Sequence, residues 1–294
     1  MTSSTLRLNF PMWQGGANPV YHFGSELLSW LAPATNGPSE TVDVAFNHTD
    51  ESANSVADEN GIKGRAQILK QIDHCRTLID KHQPDSLVVL GGDCLVDLAP
   101  FAYLSERYGD KLGVLWVDAH PDIMTSAQFN HSHATVLAAL MGVGDSDLTG
   151  FVKAPIAASK VMYAGVNNES EYEANFLIEH AMQVCRPDEI RDGSSAAKIG
   201  QWIKDQGIEV LAIHLDLDVL DASKFGPLLF NRPDVAADAF EGIAQGQLTI
   251  EEVLQVIQQA TAHTKTVGMG IAEHLPWDAL RLRNMMRALP LLGD

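Results

Sequence analysis

Short runs of consecutive apolar residues alternate along the chain with longer stretches in which apolar positions recur at helical spacing. The short runs predict strands over 5–10, 41–46, 86–91, 112–118, 160–165, 182–185, 209–216 and 265–271. The amphipathic stretches predict helices over 20–31, 61–82, 97–108, 133–141, 171–180, 195–206, 249–262 and 277–288. Runs such as Leu87-Val88-Val89-Leu90 have no polar alternate, the mark of a strand covered on both faces. Strands that alternate with helices pair in parallel through right-handed crossovers. The expected fold class is therefore α/β: three αβα layers around a mostly parallel, roughly eight-stranded sheet. No Pro/Gly-rich linker, internal repeat or low-complexity tract divides the chain, so residues 1–294 read as a single domain. Two unpatterned segments, 46–60 and 219–248, are long enough to suggest functional loops.

Composition narrows the function classes. Hydrophobic residues make up 46% of the 294, enough for a sizeable core. The formal net charge of −18 argues against a nucleic-acid partner, which needs a basic face. It suits a soluble protein, with attraction of a cationic substrate as a further use. Three sparse cysteines, Cys75, Cys94 and Cys185, do not make a disulfide framework and point to the reducing cytoplasm. No apolar run is long enough to span a bilayer, and the start, Met1 to Arg7, lacks the pattern of a signal peptide.

Two acidic clusters sit where predicted strands end. Gly113-Val114-Leu115-Trp116-Val117 runs into Asp118-Ala119-His120-Pro121-Asp122, and Glu209-Val210-Leu211-Ala212-Ile213 runs into His214-Leu215-Asp216-Leu217-Asp218. Period-two alternation puts Asp118 with His120, and Asp216 with Asp218. In an open α/β sheet, ligands bind beyond the carboxyl ends of the strands. A single Asp there is often only a turn or helix cap. Several carboxylates crowded together repel one another and need cations, which points to a two-metal centre and hydrolysis.

Gly91-Gly92-Asp93-Cys94, Asp118-Ala119-His120-Pro121-Asp122, Asn130-His131-Ser132-His133, Asp216-Leu217-Asp218 and Gly270-Ile271-Ala272-Glu273 follow one another in this order. In that order they resemble the signature blocks of the ureohydrolase (arginase/agmatinase) family. The resemblance implies a metal-dependent amidinohydrolase that splits a guanidino, N-hydroxyguanidino or formimino C–N bond, releasing urea or an analogue and an amine. Two Mn²⁺ ions would share Asp118 and Asp216. Asp122 and the Cys94 position would complete one ion, and His120 and Asp218 the other. A metal-bridging hydroxide would attack the guanidinium carbon. Asp122 or a shuttle histidine would protonate the leaving amine, and Glu273 would orient the guanidinium. A homo-oligomer, trimer or hexamer, is implied on the same basis.

Other residues have simpler readings. Glu273 also reads as a cap of the following helix, His214 as a core or supporting histidine, and Asp93 as a backbone tie. Gly91-Gly92 reads as a tight turn, not a phosphate loop, since no Lys-Ser/Thr follows.

The chain departs from the family pattern at three places. Position 94 is cysteine where the family has histidine. A thiolate is softer, so the metal beside Cys94 is expected to be weak or a different ion, and a merely buried thiol is the plain alternative. Relatives with cysteine here include enzymes acting on N-hydroxyguanidines. In the loop 123–133, Met124 stands where arginases have Asn, and Phe129-Asn130-His131-Ser132-His133 replaces their Ser-Gly-Asn-x-His-Gly stretch. Asn130 and His131 remain candidates for substrate binding. One alignment makes His133 the shuttle histidine, another His131. Near Asn167-Asn168-Glu169-Ser170-Glu171, the acid that holds an α-amino group in arginases has no clean match. A non-catalytic arginase-like protein with an impaired metal site is the competing reading. A metallophosphatase fits less well because Gly92-Asp93 precedes the Asp-x-His block, and a zinc deacetylase lacks its paired histidines.

Overall fold

The computed structural model describes residues 4–48, 50–233, 235–236 and 238–290. The first three residues of the N-terminal stretch, and Thr49, Asp234 and Ala237 of the two long loops, lie outside the described residues. The chain runs β1 (Thr5–Phe10), α1 (Val20–Leu31), β2 (Ser39–Thr41), β3 (Asp58–Glu59), β4 (Ile62–Lys63), α2 (Arg65–His82) and β5 (Ser86–Gly91). It continues through α3 (Leu98–Tyr108), β6 (Leu112–Val117), α4 (Val136–Leu140), α5 (Ser146–Thr149), β7 (Val161–Ala164), α6 (Glu171–Glu179) and β8 (Gln183–Cys185). The last third holds α7 (Pro187–Arg191), α8 (Ser195–Asp205), β9 (Val210–Asp216), α9 (Ile250–Thr261), β10 (Lys265–Ala272) and α10 (Trp277–Arg287).

The main sheet has eight strands in the order β2-β1-β5-β10-β9-β6-β7-β8, and its ladders are parallel. Alternation within strands divides the core between two faces. Val114 and Trp116 of β6 join a cluster with α2, α3 and α4, while Leu115 and Val117 join one with α8 and α9. The expected three layers are thus present.

The differences from expectation are local. The strand expected over 41–46 is a short edge strand, β2; beyond it the segment leaves the sheet and Phe46 stacks on His22 at 4.1 Å. The helix expected from 61 starts at Arg65. Before it, β3 and β4 form an antiparallel hairpin, and Gly61 and Gly64 take φ of +82° and +66°, which favour glycine.

The central strands β5, β10, β9 and β6 are neighbours. Cys94, Glu273, the pair Asp216 and Asp218, and the run Asp118–Asp122 all lie at or just beyond their carboxyl ends. Sequence separations above one hundred residues collapse there into one site.

Candidate metal centre

Each cluster is fixed by its own backbone. Asp118 directly follows β6 and is fully buried; its carboxylate accepts the His120 N–H at 2.7 Å and the Trp116 indole N–H at 3.0 Å. Asp216 ends β9 and accepts the Asp218 N–H at 2.7 Å, a local turn that aims both side chains together. Asp122 has φ +53°, and its carbonyl accepts the N–H groups of Leu137 and Ala138 at 3.1 and 3.3 Å, tying the loop to α4. Glu273 has φ +66°, and its N–H donates to the Gly92 carbonyl at 2.7 Å. Left-handed backbone at a buried non-glycine residue is costly, and such strain tends to cluster at functional sites. Glu273 does not cap the next helix, whose N-cap is Pro276 without a side-chain bond.

Three groups of side chains offer ligand atoms within 4.8 Å of one another: Cys94, Asp118, Asp122 and His214; Cys94, Asp216 and Glu273; and Asp118, His120 and Asp218. The Cys94 thiol donates to Asp216 Oδ2 at 3.0 Å and lies 3.7 Å from Glu273 Oε1. His120 Nδ1 is 3.1 Å from Asp218 Oδ2 and 3.6 Å from Asp118 Oδ1. Among the described residues, the salt bridges of these carboxylates reach histidines and no Lys or Arg.

Burial, then mutual repulsion, pushes Asp118, Asp122 and Asp216 above the usual carboxylate range. Burial also raises Glu273, against a hydrogen bond from the Tyr21 hydroxyl. Burial alone would raise Asp218, but His120 outweighs it and holds it low. Burial opposes charging His120, yet Asp218 and Asp118 prevail and hold it well above the ordinary histidine value. Buried Asp122 Oδ2, Asp218 Oδ1 and His120 Nε2 have no hydrogen-bond partner. Oxygen-rich donors with orphaned atoms and excess negative charge fit divalent cations.

The surrounding residues divide. His133 Nδ1 meets the Gly15 carbonyl at 3.0 Å; burial lowers it, and it senses His120 and Asp218. His131 packs on Phe129 at 4.6 Å; burial lowers it to about 4, and its charged neighbours are His133 and Lys63. Asn130 donates its amide to Asp58 at 2.8 Å, and its carbonyl accepts the Lys63 N–H at 3.0 Å, so both ends tie the loop to the hairpin. Asp93 accepts the N–H groups of Gly16 and Leu95, each at 3.1 Å, as a backbone tie. Glu169 is 2.5 Å from Arg186 Nη1, and Glu171 is exposed on α6. A cavity of about 530 Å³ is lined by Trp13, Phe46, His48, Asn54 and Gln67, and none of the acids of the centre lines it.

Sequence reasoning missed two participants. Tyr21 reaches Glu273 from α1, and Asp97 contacts His214 Nδ1 at 2.7 Å. Neither stands in a motif. Both become neighbours of the centre only through packing across the sheet ends.

The arginase family model matches residues 39–280. Arginase from Bacillus caldovelox is 27% identical over 202 residues, 63% of this chain and 66% of that enzyme, just under two thirds of its length. A solved structure of Entamoeba histolytica arginase in complex with L-ornithine superposes with a TM-score of 0.75 at 18% identity, covering 94% of this chain and 93% of that one. Formimidoylglutamase from Bacillus subtilis superposes with a TM-score of 0.61 at 15% identity, covering 93% and 79%.

Proposed function

The chain belongs to the arginase family, hydrolases of linear amidines, and we propose that it cleaves the C–N bond of a guanidino, N-hydroxyguanidino or formimino compound, yielding urea or an analogue and an amine. One observation carries this reading. Four aspartates and Glu273 are buried together at the ends of the central strands, with histidines as their cation-capable partners.

Asp118 and Asp216 would lie between two cations, with Asp122 and the Cys94 position on one side and His120 and Asp218 on the other. When bound, the cations supply a Lewis acid and an activated water. Mn²⁺ suits the oxygen-rich half, while the thiol favours a softer ion beside Cys94. Glu273 accepts guanidinium N–H groups, and the Tyr21 hydroxyl keeps its carboxylate turned. His133 delivers a proton to the leaving nitrogen, with Asp122 as the alternative donor. The sensing of His120 and Asp218 by His133 supports it over His131.

Glu169 is paired with Arg186, so one of the two acids that could hold an α-amino group, Glu169 and Glu171, is already engaged. This favours a substrate other than free arginine. Asn130 and His131 line the approach in this reading. No helix of the described residues is long and apolar enough to cross a membrane. Three buried, free cysteines support a cytoplasmic setting. A homo-oligomer, trimer or hexamer, belongs to the same proposal. Exposed Leu282, Met285 and Met286 on α10 support it, and sedimentation would test it.

The deciding assay follows urea, hydroxyurea and formamide release from a panel of guanidino and formimino compounds. The protein would be loaded separately with Mn²⁺, Zn²⁺, Co²⁺ and Ni²⁺. Turnover of one member is expected. Silence across the panel together with fewer than two bound metals would favour a non-catalytic arginase-like protein with an impaired metal site.

A further inference from the structure

His214 is fully buried in β9, two residues before Asp216. Its ring stacks on Trp116, the paired residue of β6, with centroids 3.7 Å apart and planes 13° from parallel. Nδ1 lies 2.7 Å from Asp97 Oδ2. That carboxylate has room only because residue 270, beside His214 on β10, is glycine. A Cβ there would sit 1.9 Å from Asp97 Oδ2.

The other nitrogen, Nε2, is buried without a hydrogen-bond partner. It is 3.9 Å from Asp118 Oδ2, beyond hydrogen-bond reach. A ring nitrogen of His214 shares the 4.8 Å cluster with Cys94, Asp118 and Asp122. The Cys94 thiol cannot satisfy it, because that thiol is turned to Asp216.

A carboxylate on one ring nitrogen fixes the proton there and leaves a lone pair on the other. This is the usual support of a metal-ligating histidine. An orphaned buried acceptor is otherwise a plain cost. Were the proton on Nε2 instead, its N–H would face the carboxylates with no acceptor in range.

Resting on the reading that this centre holds cations, we propose that His214 is a metal ligand: with Cys94 at the position where the family has histidine, the imidazole for that ion enters from β9, held by Asp97 and Trp116. The ion would then have a sulfur, a nitrogen and carboxylate oxygens. That set favours borderline cations such as Zn²⁺ or Co²⁺ over Mn²⁺, whereas Asp118, His120 and Asp218 keep a harder one. The two halves of the centre would differ in metal preference.

The test uses the full-length protein, stripped by chelation and titrated with Co²⁺. Bound metal is counted, and hyperfine-shifted exchangeable proton resonances are recorded in water. Two bound Co²⁺ are expected, with two shifted imidazole N–H signals, from His120 and His214. The His214 signal should exchange slowly, because that proton is buried against Asp97. His214→Gln should remove it and weaken one of the two equivalents by at least about 100-fold, since even changes to a ligand's supporting partner cost 10–100-fold. Asp97→Asn should keep two equivalents but weaken one by about 10–100-fold. Cys94→Ser should retain both N–H signals. Two bound Co²⁺ with a single shifted imidazole in the unaltered protein would overturn the assignment of His214, whatever the variants' folding. No bound metal would instead overturn the cation reading beneath it.

Discussion

At the scale of single residues, burial turns ordinary acids into a reactive group. Asp216 stands against Cys94, accepts the Asp218 N–H and, as proposed, serves both cations. Asp216→Asn should therefore lower turnover by at least about 100-fold, more than the loss of a ligand's supporting partner would. It should also reduce bound metal, and elemental analysis alongside the kinetic assay reads both. Glu273, in the proposed role, orients the guanidinium rather than holding a cation, and Tyr21 stands beside it. Glu273→Gln removes a charge-assisted hydrogen bond worth about 1.5–3 kcal/mol, so kcat/KM should fall roughly 10- to 150-fold. Its metal content should stay the same, and a parallel loss of metal would reassign Glu273 as a ligand.

At the scale of elements, the site depends on how closely strand ends approach one another. Gly92 follows β5 and lies under the loop leaving β1. A Cβ at this position would sit 1.8 Å from the Met12 carbonyl oxygen, and backbone cannot rotate away as a side chain can. The same residue's carbonyl accepts the Glu273 N–H at 2.7 Å. Gly92→Ala is expected to destabilise the fold by about 3 kcal/mol, the upper end for overpacking. It should also impair turnover through Glu273. Thermal unfolding and the kinetic assay on one preparation would show both, and an unchanged melting temperature would contradict the contact. The capping box of α9, Thr249 with Glu252, has no tie to the centre. Thr249→Ala should cost about 1 kcal/mol of stability and leave turnover per folded molecule unchanged.

At the scale of the whole molecule, the buried charge couples stability to pH and to metal. In chelated protein, Asp118, Asp122, Asp216 and Glu273 hold their protons more tightly folded than unfolded. The folded state then binds more protons, so stability falls as pH rises from the ordinary carboxylate value of about 4 through these raised values. His120, also raised, acts in the same direction; Asp218, lowered, opposes it. Melting curves of chelated protein across this range should therefore decline with pH, and a rise would refute the crowding. Each cation present at 100 times its Kd should add about 2.7 kcal/mol, or roughly 4 °C in Tm.

The sequence by itself determined the α/β class, strands and helices within a few residues, and the acids at the ends of β6 and β9. Apolar periodicity and strand-end position are local properties that survive without a partner. The order of the motifs was likewise sufficient for the family. Where local pattern is weak, the reading slipped: the edge strand β2 is shorter than its apolar run, and the start of α2 gives way to a hairpin at Gly61 and Gly64. The neighbours of the acids were decided only by tertiary structure. Asn130 is a candidate substrate contact by its motif, and only the structure shows that the hairpin at Asp58 and Lys63 holds it in place. Tyr21 and Asp97 carried no signal, and His214 reads from sequence as a core histidine. Its free Nε2 exists because Gly270 makes room for Asp97, Trp116 fixes the ring and β9 lies beside both strands. Such contacts join residues far apart in the chain, and their energies depend on burial and approach distance, which no stretch of sequence contains.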